Sequence, residues 1–224
     1  MMKAVAIDGP AGAGKSTIAR KAAAKLGYIY VDTGALYRSI GYYVSSHGGD
    51  TASEADVVPL LSEIQVELKF QNGVQQVWLN GENVSDKIRT PEMAMHASSV
   101  SAIPAVREFL FDLQKSIAAK NNVIMDGRDI GTVVLPDADV KIFLTATPED
   151  RAMRRYKEHQ FRGETVDYET LLADVKQRDY NDSHRAIAPL KQAEDAILLD
   201  TTGNELEDSI RLVLDTIQKR LNRS

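Results

Sequence analysis

The chain has 224 residues, 43% of them hydrophobic and 26% charged, with a formal net charge of −5 and no cysteine. This balance predicts a soluble globular protein with one substantial core, and the lack of cysteine excludes disulfides and thiolate chemistry. Basic residues form no run suited to a polyanion, and no apolar stretch is long enough to span a bilayer, so we expect neither nucleic acid nor a membrane as partner. Because residues 1–3 lead directly into the first predicted strand rather than into a signal peptide, we expect a cytoplasmic protein.

The first predicted element is a short apolar strand at 4–7, followed by the glycine-rich segment GPAGAGKST at 9–17. The segment matches GxxxxGKS/T, in which glycines let backbone N–H groups approach phosphate oxygens and the lysine neutralises the β- and γ-phosphates. The serine hydroxyl of this pattern binds Mg²⁺, and the next helix directs its positive dipole end at the phosphates. A helical stripe does follow and ends at Gly27, so we interpret the segment as a triphosphate-binding loop rather than a chance turn. The predicted triphosphate-binding residues are Gly9, Pro10, Ala11, Gly12, Ala13, Gly14, Lys15, Ser16 and Thr17.

Strands and helices alternate near the start of the chain, which predicts a parallel sheet. Residues 28–34 have the pattern of a strand that runs into a turn, and residues 36–44 have that of a helix. The alternation breaks at 62–86, where period-two apolar residues and turns at 71–73 and 80–81 predict an antiparallel β insert. Two interpretations of the insert remain open, a surface hairpin or a small domain that helps to close over a substrate.

The later part of the chain returns to an α/β alternation. Prolines 91 and 104 begin two predicted helices, strands are predicted at 122–129, 140–146 and 196–201, and a final helix covers one face of the sheet. Ligands of open α/β sheets collect at the carboxyl ends of the strands. We therefore expect residues 9–16, Asp32, residues 126–129 and the chain from Thr145 onward to converge on one crevice.

Three arginines follow strand or helix ends near this predicted crevice, namely Arg38, Arg128 and Arg185. Planar guanidinium groups suit a phosphate that is held in a fixed orientation. For any one arginine, a solvated surface charge is the simpler interpretation. Their shared position at the ends of elements favours the phosphate-binding role.

A second group of arginines, Arg151, Arg154 and Arg155, occupies positions i, i+3 and i+4 on a helix that begins near Pro148. Such a cluster after a strand end would close over a triphosphate and stabilise charge on a transferring phosphoryl group. The alternative is an ordinary solvated helix surface, because acidic residues nearby can pair with these side chains.

Charged residues also continue the apolar stripe of a helix at about 168–182. Leu171 and Val175 share one helix face with Arg178 and Asp182. On a buried face the two charged residues must pair or meet a polar ligand, whereas on the surface they would form an ordinary ion pair. The spacing leaves both interpretations open.

Six segments carry a family resemblance: GPAGAGKST, VDTGALYR, ASSVSAIPAVRE, DGRDIGTVV, VKIFLTA and RDYNDSHRAIAPL. In this order and spacing the chain resembles, from end to end, the bacterial cytidylate kinases of the nucleoside monophosphate kinase group. The resemblance implies a P-loop three-layer α/β/α fold with a parallel sheet core, an inserted antiparallel β-containing monophosphate-binding domain and a helical lid. Within a single unit spanning 1–224, it places the core at about 1–37, 105–147 and 186–224, the monophosphate-binding region at about 38–104 and the lid at about 148–167.

The resemblance implies phosphoryl transfer from ATP, with Mg²⁺, to CMP or dCMP in pyrimidine nucleotide metabolism. Cytosine presents an N4 amino donor beside N3 and O2 acceptors, so its readers should combine a carboxylate with arginine and hydroxyl donors, and uracil would be disfavoured. By motif, the implied substrate-binding residues are Arg38, Arg128 and Arg185 around the acceptor phosphate, Ser98, Arg107 and Asp129 around cytosine, Arg178 and Asp182 at the ribose, and Tyr37.

For the chemistry, the resemblance implies alignment and charge neutralisation rather than a general base, because the acceptor phosphate oxygen is already anionic. Closure of the lid would exclude water and so limit hydrolysis of ATP. The implied catalytic residues are Lys15, Arg128, Arg154 and Arg185, the further ATP-binding residues are Arg151 and Arg155, and the metal-binding residues are Ser16 and, through water, Asp126.

Other functions fit parts of the pattern. A P-loop kinase for a small hydroxy acid would not need a cytosine-reading set, and a switch of the GTPase kind would need an NKxD motif, which the sequence lacks. The acidic balance and small size disfavour a nucleic-acid motor. No long heptad pattern demands a partner chain, so we expect a monomer.

Overall fold

A computed structural model describes residues 2–71 and 74–222. Among these residues no helix is both long and apolar enough to cross a membrane. The strands are β1 (Ala4–Asp8), β2 (Ile29–Asp32), β3 (Val66–Gln71), β4 (Val74–Leu79), β5 (Glu82–Asn83), β6 (Val123–Gly127), β7 (Val140–Thr145) and β8 (Ile197–Asp200). The helices are α1 (Lys15–Leu26), α2 (Thr33–Ser46), α3 (Glu54–Leu60), α4 (Pro91–Val100), α5 (Pro104–Lys120), α6 (Pro148–Phe161), α7 (Tyr168–His184) and α8 (Leu206–Leu221).

The strands form two sheets. Five strands make a parallel sheet in the order β2-β6-β1-β7-β8, and β3, β4 and β5 make a small antiparallel sheet. In the parallel sheet Val5 lies opposite Val140, and Ile142 of β7 lies opposite Ile197 of β8. The predicted α/β class, with a helix-flanked parallel sheet and an antiparallel insert, is confirmed.

The chain divides into two compact units. We call the first, which consists mainly of Tyr28–Val123, the insert unit because it contains β3 to β5. We call the second, formed by Lys3–Gly27 and the chain from Ile124 onward, the P-loop unit.

The core of the P-loop unit follows from continuous apolar strands. Val5, Ala6 and Ile7 of β1 are all fully buried, as a central parallel strand covered on both faces requires. Helix α8 packs on α1 and β7 through a buried stripe at helical spacing that includes Ile210 and Ile217. Each aliphatic side chain buried in this way contributes about 1.5–3 kcal/mol to folding.

The core of the insert unit includes the antiparallel sheet. Val77 and Leu79 of β4 belong to the same buried cluster as Leu36 and Ile40 of α2. Helices α2 and α4 approach closely at Gly41, where an added Cβ would lie 2.7 Å from the Cβ of His96. The insert is therefore part of the core of its unit and not a separate surface hairpin.

Element boundaries differ from the predictions where side chains cap the backbone. Helix α2 begins at Thr33, within the segment 28–34 that was predicted as a strand and a turn, because Asp32 Oδ1 accepts a hydrogen bond from the Ala35 N–H. Helix α3 and a π-helical turn at Ile130–Val134 were not predicted. The predicted turn at Asn80-Gly81 is present, whereas the one at 71–73 includes residues 72 and 73, which lie outside the described residues.

Gly9 is a position where we expect a side chain to be excluded. Its φ is 149°, and an added Cβ would lie 2.0 Å from the Leu144 carbonyl oxygen. Gly27 also has positive φ, 69°, but an added Cβ there meets nothing within 4 Å. We expect Gly9→Ala to lower the free energy of unfolding by at least about 3 kcal/mol, against about 1 kcal/mol for the matched variant Gly27→Ala. Urea denaturation measures both, and equal losses would contradict the steric argument.

Candidate active site

The glycine-rich loop between β1 and α1 buries its lysine. Gly12 and Gly14 both have left-handed backbone conformations, with φ of 77° and 83°. Lys15 is 5% exposed, and its Nζ donates a hydrogen bond to the Pro10 carbonyl at 2.7 Å. Burial, together with the positive charge of Arg128, lowers the pKa of Lys15 to about 7. An anion bound at this loop would therefore stabilise the ammonium form.

A hydroxyl and a carboxylate meet at the start of α1. Ser16 Oγ donates to Asp126 Oδ2 at 2.8 Å, and Asp126 is buried near the end of β6. Mg²⁺ in nucleotide sites is commonly held by one or two protein oxygens, substrate phosphates and waters. The pair fits such a site. Among the described residues, no group of three or more His, Asp or Glu side chains is placed to hold a metal.

The predicted arginine cluster of α6 lies against the loop. An added Cβ on Gly12 would be 3.5 Å from Arg155 Nε, and one on Gly14 would be 3.7 Å from Arg154 Nη1. Burial lowers the pKa of Arg155. Arg154 donates to the Thr201 carbonyl at 2.7 Å and also pairs with Asp150. These arginines are only partly exposed, which does not fit a fully solvated helix surface.

Arg151 of the same cluster is bound to protein groups. It is 2% exposed, and its guanidinium makes two hydrogen bonds to Asp179, at 2.8 and 2.5 Å. It also donates to the carbonyls of Ala146, at 2.9 Å, and Ala11, at 3.0 Å. Ala11 belongs to the glycine-rich loop, so this side chain ties α6 and α7 to the loop backbone. Asp179 was not among the predicted site residues, although it lies four residues after Val175 of the stripe on α7.

The stripe on α7 ends in a buried ion pair with Arg128, the residue that directly follows β6. Asp182 is 6% exposed, and its Oδ2 accepts from Arg128 Nε at 2.8 Å. Burial opposes ionisation of Asp182, but the charge and hydrogen bond of Arg128, with the charges of Arg178 and Arg185, lower its pKa. The surface-pair interpretation does not fit this burial.

Asp129 and Arg185 lie next to this pair in the P-loop unit. Asp129 is buried, and its Oδ1 lies 3.9 Å from Arg185 Nη2. Arg185 Nε also donates to the Ala188 carbonyl at 2.7 Å. The unit thus brings together four of the predicted substrate-binding residues, Arg128, Asp129, Asp182 and Arg185. The charge of a fifth, Arg178, contributes to the lowered pKa of Asp182.

Asp8 is a buried carboxylate that the sequence did not indicate. Its two oxygens accept hydrogen bonds from the N–H groups of Ile130, at 2.8 Å, and Gly131, at 2.7 Å. Burial, partly offset by these hydrogen bonds, raises the pKa of Asp8 to about 6. Asp8 thereby fixes the start of the π-helical turn that directly follows Asp129.

The insert unit carries the other predicted substrate-binding residues. Arg38 Nη2 pairs with Asp32 Oδ2 at 2.7 Å. The Arg107 guanidinium lies 5.9 Å from the ring centre of Tyr37, and its Nη1 is 3.5 Å from the Ser101 carbonyl. Ser98 is half-buried on α4. Convergence of the residues of both units on one crevice stays a prediction.

Comparison with known proteins gives the family. The sequence profile described as cytidylate kinase matches residues 5–219. The cytidylate kinase of Caldicellulosiruptor bescii is 49% identical over 215 residues, which cover 96% of this chain and 95% of that protein. The chain belongs to the cytidylate kinase family. It is therefore a kinase, as its end-to-end resemblance to this family implied.

Other relatives agree with this membership. The cytidylate kinase of Leuconostoc mesenteroides is 49% identical over 218 residues, with 97% of each chain covered. A solved structure of an uncharacterised protein from Eubacterium ventriosum has a TM-score of 0.55 and 13% identity, covering 98% of this chain and 99% of that one. The structural likeness shows a shared fold alone.

Asp8 should make the stability of this family member depend on pH. Its pKa of about 6 in the folded protein exceeds 3.8, the ordinary value, so between these values the folded chain holds a proton that the unfolded chain has released. The stabilisation is thus complete below about pH 4 and is lost as pH rises through 6. We expect the wild type to lose about 2 kcal/mol relative to Asp8→Asn between about pH 4 and pH 7. Urea denaturation at fixed ionic strength tests this, and parallel pH profiles would contradict it.

Asp179 should affect ATP more than the acceptor nucleotide. Asp179→Asn removes the charge that holds Arg151 but keeps the side-chain shape, so the Ala11 carbonyl is held less firmly. We expect the KM for ATP to rise about fivefold, corresponding to about 1 kcal/mol, with a change of less than about twofold in the KM for CMP. Initial rates at varied ATP measure this effect.

A matched control is Lys176→Gln, which removes an exposed ion pair between the same two helices, at 3.0 Å from Glu149. Exposed pairs of this kind contribute little, so its KM for ATP should stay at the wild-type value. The same KM in Asp179→Asn and the control would refute the bracing role of Arg151.

Proposed function

We propose that the protein transfers the γ-phosphoryl group of ATP to CMP and dCMP, forming CDP and dCDP in pyrimidine nucleotide metabolism. Family membership supports ATP-dependent phosphorylation of CMP, and dCMP is a further acceptor in this proposal. The observation that carries the mechanism is the buried Lys15 at the loop, with the Arg128–Asp182 pair and Arg185 in the same unit. Phosphoryl transfer requires positive groups that stabilise the negative charge of the phosphoryl group as it moves from donor to acceptor.

ATP would bind with its phosphates on the N–H groups of the loop from Gly9 to Thr17. Lys15 would neutralise the β- and γ-phosphates, and its pKa would rise from about 7 as the ligand charge replaces the Pro10 carbonyl as its partner. Arg155, which lies beside Gly12, would contact the phosphates. Arg151 would serve ATP binding by holding the Ala11 carbonyl rather than by contact with the nucleotide.

Ser16 and Asp126 would hold Mg²⁺, the serine directly and the aspartate through water. Bound there, the ion would neutralise charge on the β- and γ-phosphates. The 2.8 Å hydrogen bond between the two side chains keeps their oxygens next to each other at the start of α1.

The acceptor nucleotide would bind to residues of both units. Arg38, Arg128 and Arg185 would hold its phosphate, with Tyr37 beside them. Asp129, Ser98 and Arg107 would read cytosine, the carboxylate accepting from the N4 amino group. Arg178 and Asp182 would contact the ribose, and in that role Asp182 keeps Arg128 as its partner.

Catalysis would consist of alignment and charge neutralisation without a general base. Lys15, Arg128, Arg154 and Arg185 would stabilise the charge on the transferring group, and Arg154 would leave the Thr201 carbonyl and Asp150 to do so. Residues 148–167 would act as the lid, 38–104 as the monophosphate-binding region, and 1–37, 105–147 and 186–224 as the core. A monomeric state and a cytoplasmic location complete the proposal.

A panel of acceptors tests the function. ADP formation from ATP should require a nucleoside monophosphate, with CMP and dCMP ahead of UMP, AMP and GMP, in a coupled assay.

Asp129→Ala should lower kcat/KM for CMP by about 10-fold or more and reduce the discrimination against UMP, because it removes the acceptor for N4. Equal turnover of CMP and UMP by the wild type would refute the cytosine-reading set. Turnover of a small hydroxy acid in place of nucleotides would favour the other P-loop kinase interpretation.

A further inference from the structure

We propose that Gln75, on β4 of the antiparallel insert, is a positioning residue for the acceptor phosphate. It holds Asp32, and Asp32 in turn holds the Arg38 guanidinium. The inference rests on the proposed function, in which Arg38 binds that phosphate. It assigns the insert a part in substrate binding that goes beyond its share of the hydrophobic core.

The Gln75 side chain engages the backbone of Asp32 in both directions. The Asp32 N–H donates to Gln75 Oε1 at 2.9 Å, and Gln75 Nε2 donates to the Asp32 carbonyl at 3.3 Å. The Gln75 amide thus satisfies both the N–H and the carbonyl of Asp32, as the backbone of a residue on a neighbouring strand would. The end of β2 is fixed at this point by the insert.

Asp32 uses both carboxylate oxygens. Oδ1 accepts from the Ala35 N–H at 3.0 Å and so caps α2, while Oδ2 binds Arg38 Nη2 at 2.7 Å. With the backbone held by Gln75 and one oxygen held by the helix, the direction of the other oxygen is set. The position of the Arg38 guanidinium follows from that direction.

Gly34 allows this arrangement to close. An added Cβ at Gly34 would lie 3.1 Å from Asp32 Oδ1 and 3.1 Å from Arg38 Nη1. Both distances are below ordinary van der Waals contact, so a side chain there would press on the ion pair. The carboxylate, the guanidinium and the backbone between them form one compact group.

The neighbouring residue on β4 shows that the contact is specific. Gln76 is the same residue type, but adjacent residues of a strand point to opposite faces. Its side chain bonds to Gln71 and accepts from Trp78 Nε1, both within the antiparallel sheet. Gln76 therefore supports the insert alone, whereas Gln75 connects it to Asp32.

The first test compares Gln75→Ala with Gln76→Ala. Loss of two hydrogen bonds of the usual strength in Gln75→Ala should raise the KM for CMP by about 5- to 10-fold, with less than about twofold change in the KM for ATP and in kcat. Gln76→Ala should leave all three at wild-type values. If both variants raise the KM for CMP equally, Gln75 acts only through the stability of the insert, and the proposal is wrong.

The second test is a double-mutant cycle with Arg38→Ala. Because Gln75 acts through Arg38, Gln75→Ala should change kcat/KM for CMP by less than about twofold in the Arg38→Ala background. Additive effects of the two substitutions would overturn the proposal. Thermal unfolding followed by circular dichroism, together with an unchanged kcat in the single Gln75 variant, shows that the variants are folded.

The results for the two variants distinguish the proposed function from the role of Gln75. If Arg38→Ala raises the KM for CMP but Gln75→Ala does not, the proposed function stands and this inference fails. If Arg38→Ala leaves the KM for CMP unchanged, the assigned role of Arg38 and the inference fail together. Turnover of CMP in the wild type, measured independently, decides the reaction itself.

Discussion

The burial of Lys15 is the constraint on which the site depends. An ammonium group removed from water is costly unless negative charge replaces its hydration. Asp126, Asp8 and Asp182 supply part of that charge, while desolvation and Arg128 act against it, and together they place the pKa of Lys15 at about 7. In the free protein the positive charge of Lys15 is thus only partly compensated by carboxylates. A polyphosphate bound at the loop would supply the missing negative charge and so recover the stability lost by burying the cation.

The arginines around the loop differ in what they bind. Arg151 directs its donors to two carbonyls and to Asp179, and a buried guanidinium satisfied in this way is a structural element. Arg155 lies near Gly12 and loses part of its hydration, which lowers its pKa. From their spacing i, i+3 and i+4, Arg151, Arg154 and Arg155 were predicted to act as one cluster. The structure shows instead that one of them holds the loop in place.

Local patterns were sufficient for most of the regular elements, though not for α3, and for the loop. Period-two and helical spacing located the insert and the stripes of α5 and α8, and the phosphate-binding motif was read directly from GPAGAGKST. The missed features depend on partners distant in sequence. Asp8 caps a turn at 130–131, and Asp182 pairs across 54 positions with Arg128. Spacing along one helix does not reveal such partners, because strand order decides them.

The Arg38–Asp32 and Arg128–Asp182 ion pairs differ in what their separation would cost. Arg38 and Asp32 are both about a quarter exposed, so loss of their pair would cost only about 1 kcal/mol. Asp182 is only 8% exposed at its side chain, and separation from Arg128 would leave a buried carboxylate without its closest counter-charge. Such a loss costs about 3–5 kcal/mol. A phosphate bound by Arg128 would therefore use the N–H groups that Asp182 does not occupy. A phosphate bound by Arg38 would do the same, because Asp32 is bound by Nη2, and it would then meet the guanidinium in the position that Asp32 and Gln75 set.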